Sequence, residues 1–422
     1  MGCGGGKGDD SMGQAVMAQI LRFPKHRWPQ GRAETLSRII NAVSGQRHPQ
    51  EDVYWLKENA ELLNVLECTT RSPDVANCSP ADRQGSGSGG REGGAARRPE
   101  LAGISDDAVM QLRAFYRSAD RYLCFFRQYY RFVLSICLDL EDLGLVDLSR
   151  DGTGTLGQAL GQWVVQQDLP GQELSDLQRA EARRLLARRG ITRAFPGLDA
   201  RLHGFIDNSA QFAVPNRKAA YELTHIVFYL SDYGRHDPAL SAAAVQSLTY
   251  VGLLALLDQD ADLLSEVCIA LRYCGETPPA IWEGWLRQHH LQFVLTEASD
   301  SAAPELHQDA YHMFLVSSWH QGLCGGTSFT GRVPTGALRI QAPAPQGVLH
   351  RLSQSVFQAD PQAGAQRVGW HSQRPQIYAG LSESEAEVLS AAERSASDFE
   401  AFFEAFSRSG SIGRPAARVQ NG

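Results

Sequence analysis

Two residue pairs in this 422-residue chain have the types and spacing of helical metal ligands: Glu222 with His225, and Asp309 with His312. Three residues along an α-helix turn about 300° and rise about 4.5 Å, so both members of each pair share a face and can reach one ion. Carboxylate-x-x-His pairs from two helices are half of the ligand set of carboxylate-bridged di-iron and di-manganese bundles, in which two further helices give a carboxylate each. Between the two pairs, the segment 261–273 reads as a helix carrying Asp262 and Glu266 four apart, again on one face. The expected metal ligands are Glu222, His225, Glu266, Asp309 and His312. Asp120 or Asp139 would serve as the fourth helix's carboxylate, and the pattern does not choose between them. Carboxylates favour hard, redox-capable ions, which puts iron first and leaves manganese and zinc as alternatives.

Helical rise prunes the other candidates. Asp232 shares the stripe of His225 but lies about 10.5 Å along the axis, too far to ligate the same ion, so it caps the helix end or touches substrate. His320 is about 12 Å from His312 by the same rise, which leaves it outside the metal's immediate ligands. Adjacent His289 and His290 point to different faces. Asp232, Tyr221 and Tyr311 are the expected catalytic groups, with Trp319 beside them as a supporting side chain. With iron and open coordination positions, the expected activity is oxygen-dependent oxidation of a small molecule or peptide, as in a biosynthetic-pathway oxidase. With zinc it is water activation for hydrolysis. Two rivals stand beside this expectation: a non-catalytic helical scaffold that binds a partner, and a metal-free α/α-barrel lyase or cyclase acting through Asp232 and His225.

Other chemical signatures are missing. The sequence has no Gly-x-Gly-x-x-Gly after a strand, no Walker phosphate loop, no His-Glu-x-x-His and no Gly-x-Ser-x-Gly, and its Ser, Cys and His residues are scattered. Eight cysteines fall at irregular intervals without a Cys-x-x-Cys pair, which suits reduced, mostly buried thiols in a cytoplasmic protein. The net charge of −7 argues against a dedicated nucleic-acid binder. The longest apolar run, Val251–Leu257, is far short of the roughly 20 residues of a membrane helix. The first residues lack a secretory apolar core, and Gly6 stands where a myristoylation signal wants Ser or Thr.

The elements that must position these residues read as all-α, a multi-helix array or bundle with at most one short β-ribbon near 332–342. A small N-terminal helical module spans 12–70, with apolar stripes at Ala15–Leu21, Leu36–Val43 and Trp55–Leu66. A Gly-, Ser-, Pro- and Arg-rich linker covers 71–100. The main domain, 101–346, opens with one long helix from Ser105 to Leu143, whose eight aromatics between Phe115 and Phe132 alternate with arginines. A loop and an amphipathic C-terminal helix fill 347–422; Ser382 and Glu385 form a capping box there, and Phe399, Phe402, Phe403 and Phe406 give a face for docking on the body or on a protein partner.

The block 216–329 carries a further signal. Its YELTHIVFYLSDYG segment, with Phe228, Tyr229, Asp232 and Gly234 closing the run, and its DAYHMFLVSSWH segment resemble an uncharacterised family of helical, mostly proteobacterial proteins. That resemblance implies a helical fold and a bacterial source; the family carries no known activity to transfer.

Overall fold

A computed structural model describes residues 30–50, 52–70, 97–148, 154–297, 309–329, 331–358 and 369–407. The apolar stripe at 15–21 and residues 71–96 of the expected linker lie outside the described residues. Among the described residues there are seventeen α-helices, a few 3-10 turns and one two-stranded ribbon, so the chain is all-α as its periodicity predicts. In chain order the first four helices are α1 (Arg32–Gly45), α2 (Val53–Thr69), α3 (Asp106–Phe125) and α4 (Tyr130–Asp142). They are followed by α5 (Leu156–Gln166), α6 (Asp176–Ala187), α7 (Leu198–Ile206) and the single turn α8 (Ser209–Phe212). The site block holds α9 (Arg217–Leu230), α10 (Ala242–Asp258), α11 (Ala261–Tyr273), α12 (Ala280–His290) and α13 (Tyr311–Leu323). The chain closes with α14 (Leu349–Gln358), α15 (Trp370–Ala379), α16 (Glu383–Ser395) and α17 (Phe399–Ser407). No helix among the described residues is long and apolar enough to cross a membrane.

The centre of the bundle is α11. Every residue from Ala261 to Leu271 is buried, because α9, α10, α12 and α13 pack around it. Asp260 starts this helix, its carboxylate accepting from the Leu263 amide at 3.2 Å. On one side, Gly252 of α10 allows the Trp282 ring of α12 to lie against its backbone; a Cβ there would fall 2.3 Å from the indole. On the other, α2 packs between α4 and α13, so the N-terminal helices share one hydrophobic core with the main body.

The expected single helix 105–143 divides. It stops at Phe126, passes through a 3-10 turn at Arg127–Tyr129 and restarts as α4. Eight aromatics in eighteen positions cannot share one buried stripe, and the break turns the second half so that α4 buries ten of its thirteen residues. The ribbon pairs Leu338–Gln341 antiparallel with Val294–Glu297, and only the former strand lies in the region predicted. At the C-terminus the Ser382–Glu385 capping box forms, and the four phenylalanines of α17 are buried within the chain against Tyr250 and Trp370.

The end of α9 explains the Phe-Tyr-x-x-Asp-x-Gly run. Asp232, Tyr233 and Gly234 all have positive φ, at 44°, 54° and 78°, and the Tyr233 amide donates back to the Phe228 carbonyl at 2.8 Å. Gly234 lies directly under Tyr273, where a Cβ would come within 2.5 Å of the ring. Gly234→Ala should cost roughly 1–2 kcal/mol for its conformation alone, with the overlap on Tyr273 added. Thermal unfolding of that variant should show a clearly lower midpoint.

Candidate metal centre

Side chains from three helices converge on the acids of α11. Asp262 and Glu266 stand one turn apart on that face, and His312 in the first turn of α13 brings its Nδ1 to 2.8 Å from Asp262 Oδ1 and 3.0 Å from Oδ2. One donor atom each from Asp262, Glu266 and His312 all lie within 4.8 Å of one another, close enough to share an ion. His225 on α9 places Nδ1 3.6 Å from Glu266 Oε2. From α2, Glu61 comes to 4.0 Å from His312 Nε2, with Lys57 Nζ 2.9 Å from the same carboxylate.

Hydroxyls orient the acids. Tyr221 donates to Asp262 Oδ2 at 2.7 Å, and Thr224 donates to Glu266 Oε2 at 2.5 Å. His225 Nδ1 lies 2.7 Å from the Tyr221 carbonyl one turn back, an arrangement that puts the proton on Nδ1 and leaves Nε2 as the lone-pair nitrogen. The carboxylates are deeply buried, with 2% of the Glu266 side chain and 12% of Asp262 exposed. His225 and His312 keep 32% and 34%, so the cluster opens outward past its imidazoles. That is the access route an ion would need.

Burial and charge set the protonation states. Burial alone would lift Asp262, but the His312 imidazole holds its carboxyl below the ordinary range. Burial likewise disfavours charge on His312, and Asp262 outweighs it, pushing the imidazole up to about 10. Glu266 is raised, chiefly by burial. The Tyr221 hydroxyl is pushed up by burial and by Asp262, so it remains a donor.

Not every expected ligand joins the cluster. Glu222 points outward, 3.8 Å from Lys218 and partly exposed. Asp309 is buried in a different pairing, 3.0 Å from Arg47 Nη1, where Arg47 also grips Glu58 at 2.7 and 2.9 Å and the Leu338 carbonyl at 2.9 Å. It therefore anchors the start of α13. Its spacing to His312 is right, but it precedes the first helical residue, so helical geometry does not carry it to the same face. Tyr311 turns away too, donating to the Glu58 carbonyl at 2.6 Å beneath the Arg47 guanidinium. Asp232 receives Arg184 at 3.3 Å and Arg235 at 2.9 Å on the far side of α9. Asp139 is fully buried against Arg188 at 2.7 Å, and Asp120 is exposed; the acid nearest His312 on a fourth helix is Glu61. Phe228, Tyr233, Tyr273 and Trp319 pack with ring centroids 5.0–6.1 Å apart and form an aromatic wall beside the cluster.

The protonation of His312 has a measurable consequence. Its pKa is raised on folding, so its contribution to stability is fully present below about 6.5, the ordinary imidazole value, and is lost as pH rises toward 10. Chelator-treated protein should unfold at progressively lower temperature across that window, and His312→Gln should flatten the slope.

The sequence model of a domain of unknown function (DUF6902) matches residues 17–85 and 100–409. No curated protein and no solved structure matches the chain.

Proposed function

The chain belongs to the DUF6902 family, a membership that brings no activity with it, and we propose from the geometry that it is a helical metalloenzyme whose centre is built by Asp262, Glu266 and His312. His225 from α9 and Glu61 from α2 border that set. The observation that carries this reading is the convergence of three donor atoms within 4.8 Å from two buried carboxylates and one imidazole. Among the described residues no arginine is hydrogen-bonded to Asp262 or Glu266. Arginine satisfies most other deeply buried acids in this protein.

The donors are mainly hard oxygens with one or two imidazoles. This set suits iron first and manganese next, and zinc less well. An ion held there would supply Lewis acidity or redox chemistry. Tyr221 fixes Asp262 by its hydroxyl, Thr224 fixes Glu266, and the aromatic wall of Phe228 and Trp319 keeps water from the inner side. The substrate side is the outward one, past His225 and His312. The substrate proposed for it is a small molecule or a peptide, and oxygen-dependent oxidation is the reaction class that iron with open positions favours.

A second reading rests on Lys57 and on the His312–Asp262 pair. Lys57 balances Glu61, and an imidazolium balances Asp262, so the cluster is electrically tolerable without an ion. On that reading the same residues are packing elements of a non-catalytic helical scaffold.

Elemental analysis of full-length protein purified without chelator separates the two. The enzyme reading expects iron or manganese near stoichiometric, falling at least about tenfold in the Asp262→Asn/His312→Gln double variant. Metal content indifferent to that substitution would favour the scaffold. Because His312 must shed its proton to bind a cation, apparent affinity for added Mn²⁺ should also climb with pH between about 6.5 and 10, by as much as about tenfold per unit. Isothermal titration at a series of pH values measures this directly.

A further inference from the structure

About 12 Å farther along α13, past the Tyr273–Trp319 aromatic wall, a second group of donors converges at the C-terminal ends of α11 and α13. Glu283 reaches in from the first turn of α12, His320 from the last turn of α13, and Cys324 caps that helix. Cys324 Sγ is 3.4 Å from His320 Nε2 and 3.5 Å from Glu283 Oε1, and Nε2 is 3.7 Å from the same Oε1.

Those three separations form a nearly equilateral triangle. A nucleophile–base–acid relay needs the thiol and the carboxylate on opposite nitrogens of the imidazole. Here both face Nε2, so the atoms converge on a point and do not form a chain. Zinc holds sulfur at about 2.3 Å and nitrogen or oxygen at about 2.0–2.1 Å, and tetrahedral angles then put the donors about 3.3–3.6 Å apart. The two edges to sulfur, 3.4 and 3.5 Å, lie within about 0.2 Å of that face, and the Nε2–Oε1 edge at 3.7 Å would close by about 0.3–0.4 Å on an ion.

The imidazole supplies an independent sign. His320 is 1% exposed, its Nδ1 is buried without a hydrogen-bond partner, and the carboxylate oxygen at 3.7 Å from Nε2 is beyond hydrogen-bond length. The ring's hydrogen-bond contact is Nε2 with Cys324 Sγ at 3.4 Å, so the nitrogen that would bind an ion is the one turned toward the other two donors. Arg272 grips Glu283 Oε1 through Nε at 3.1 Å and through Nη2, which is how an outer group orients a ligating carboxylate.

We propose that Glu283, His320 and Cys324 form a second metal site, selective for zinc or another thiophilic divalent ion of tetrahedral preference. It is distinct from the oxygen-rich centre at Asp262 and does not depend on that centre being occupied. Binding deprotonates the Cys324 thiol, so the proton leaves to solvent and no redox change occurs.

Cobalt(II) substitution into chelator-treated full-length protein tests the site, because a thiolate ligand gives a near-ultraviolet charge-transfer band and tetrahedral geometry gives intense visible bands. Both should saturate near one equivalent, survive Asp262→Asn/His312→Gln and vanish in Cys324→Ala. A test on the unaltered protein guards against misfolding of the variant: added Zn²⁺ should slow alkylation of Cys324, mapped by mass spectrometry, at least about tenfold. The site is refuted if excess cobalt gives no charge-transfer band, if the band persists in Cys324→Ala, or if Zn²⁺ leaves the alkylation rate of Cys324 unchanged.

Discussion

A carboxylate removed from water must meet a cation or a set of donors, and the layout of this bundle follows from that requirement. Two helices carry acids through the core. On α4, Asp139, Glu141 and Asp142 are met by Arg188 and Arg189, which reach across from the end of α6 at 2.6–2.9 Å. Glu67 on α2 is met in turn by Arg98 and Arg235, each at 2.8 Å. These guanidinium pairs are permanent, since arginine does not give up its proton. On α11 the acids meet histidine, tyrosine and threonine instead. Histidine can lose its proton and hand its lone pair to an ion. One acidic stack is thus fixed in a single electrostatic state, and the other is left able to change.

The contrast accounts for the use of arginine in this chain. Only four of its forty basic residues are lysines, and the basic run Arg183–Arg189 at the end of α6 is explained by the acids of α4 and α9 together with Asp199. The helix dipole alone would have been enough to accommodate those charges, so the pairing shows how much of the core is polar by design of the sequence. It also explains why Glu61, Asp262 and Glu266 stand out. They lie in the same core, yet no guanidinium covers them.

The all-α class and the limits of α11 were legible in the sequence, because a fully buried helix and its Asp260 cap leave a strong local pattern. Of the expected ligands, His225, Glu266 and His312 come together, since each lies inside a regular helix where periodicity holds. Asp309 does not, because it falls before α13 begins, and Glu222 does not, because the face of α9 that it shares with Lys218 turns outward. Glu61 and Lys57 could not be found by any local rule: they belong to a helix about two hundred and fifty residues upstream, and only tertiary packing brings α2 against α13. Asp262 was visible as a partner of Glu266 on one face, but nothing local marked its pairing with His312. The break at Phe126 was hidden for a similar reason, since helix propensity is satisfied on both sides of it.

The hydrogen bond from Tyr311 to the Glu58 carbonyl spans 253 residues, and it has a temporal meaning. During synthesis at about 5–20 residues per second, α2 waits on the order of tens of seconds for α13 to emerge. Through that interval its buried face has α4 but lacks its second neighbour. The cluster at Asp262 cannot form in the nascent chain until the first turn of α13 leaves the ribosome, and the one at Cys324 until that helix is complete. Any ion these sites take up is therefore acquired late, once about three quarters of the chain has been made.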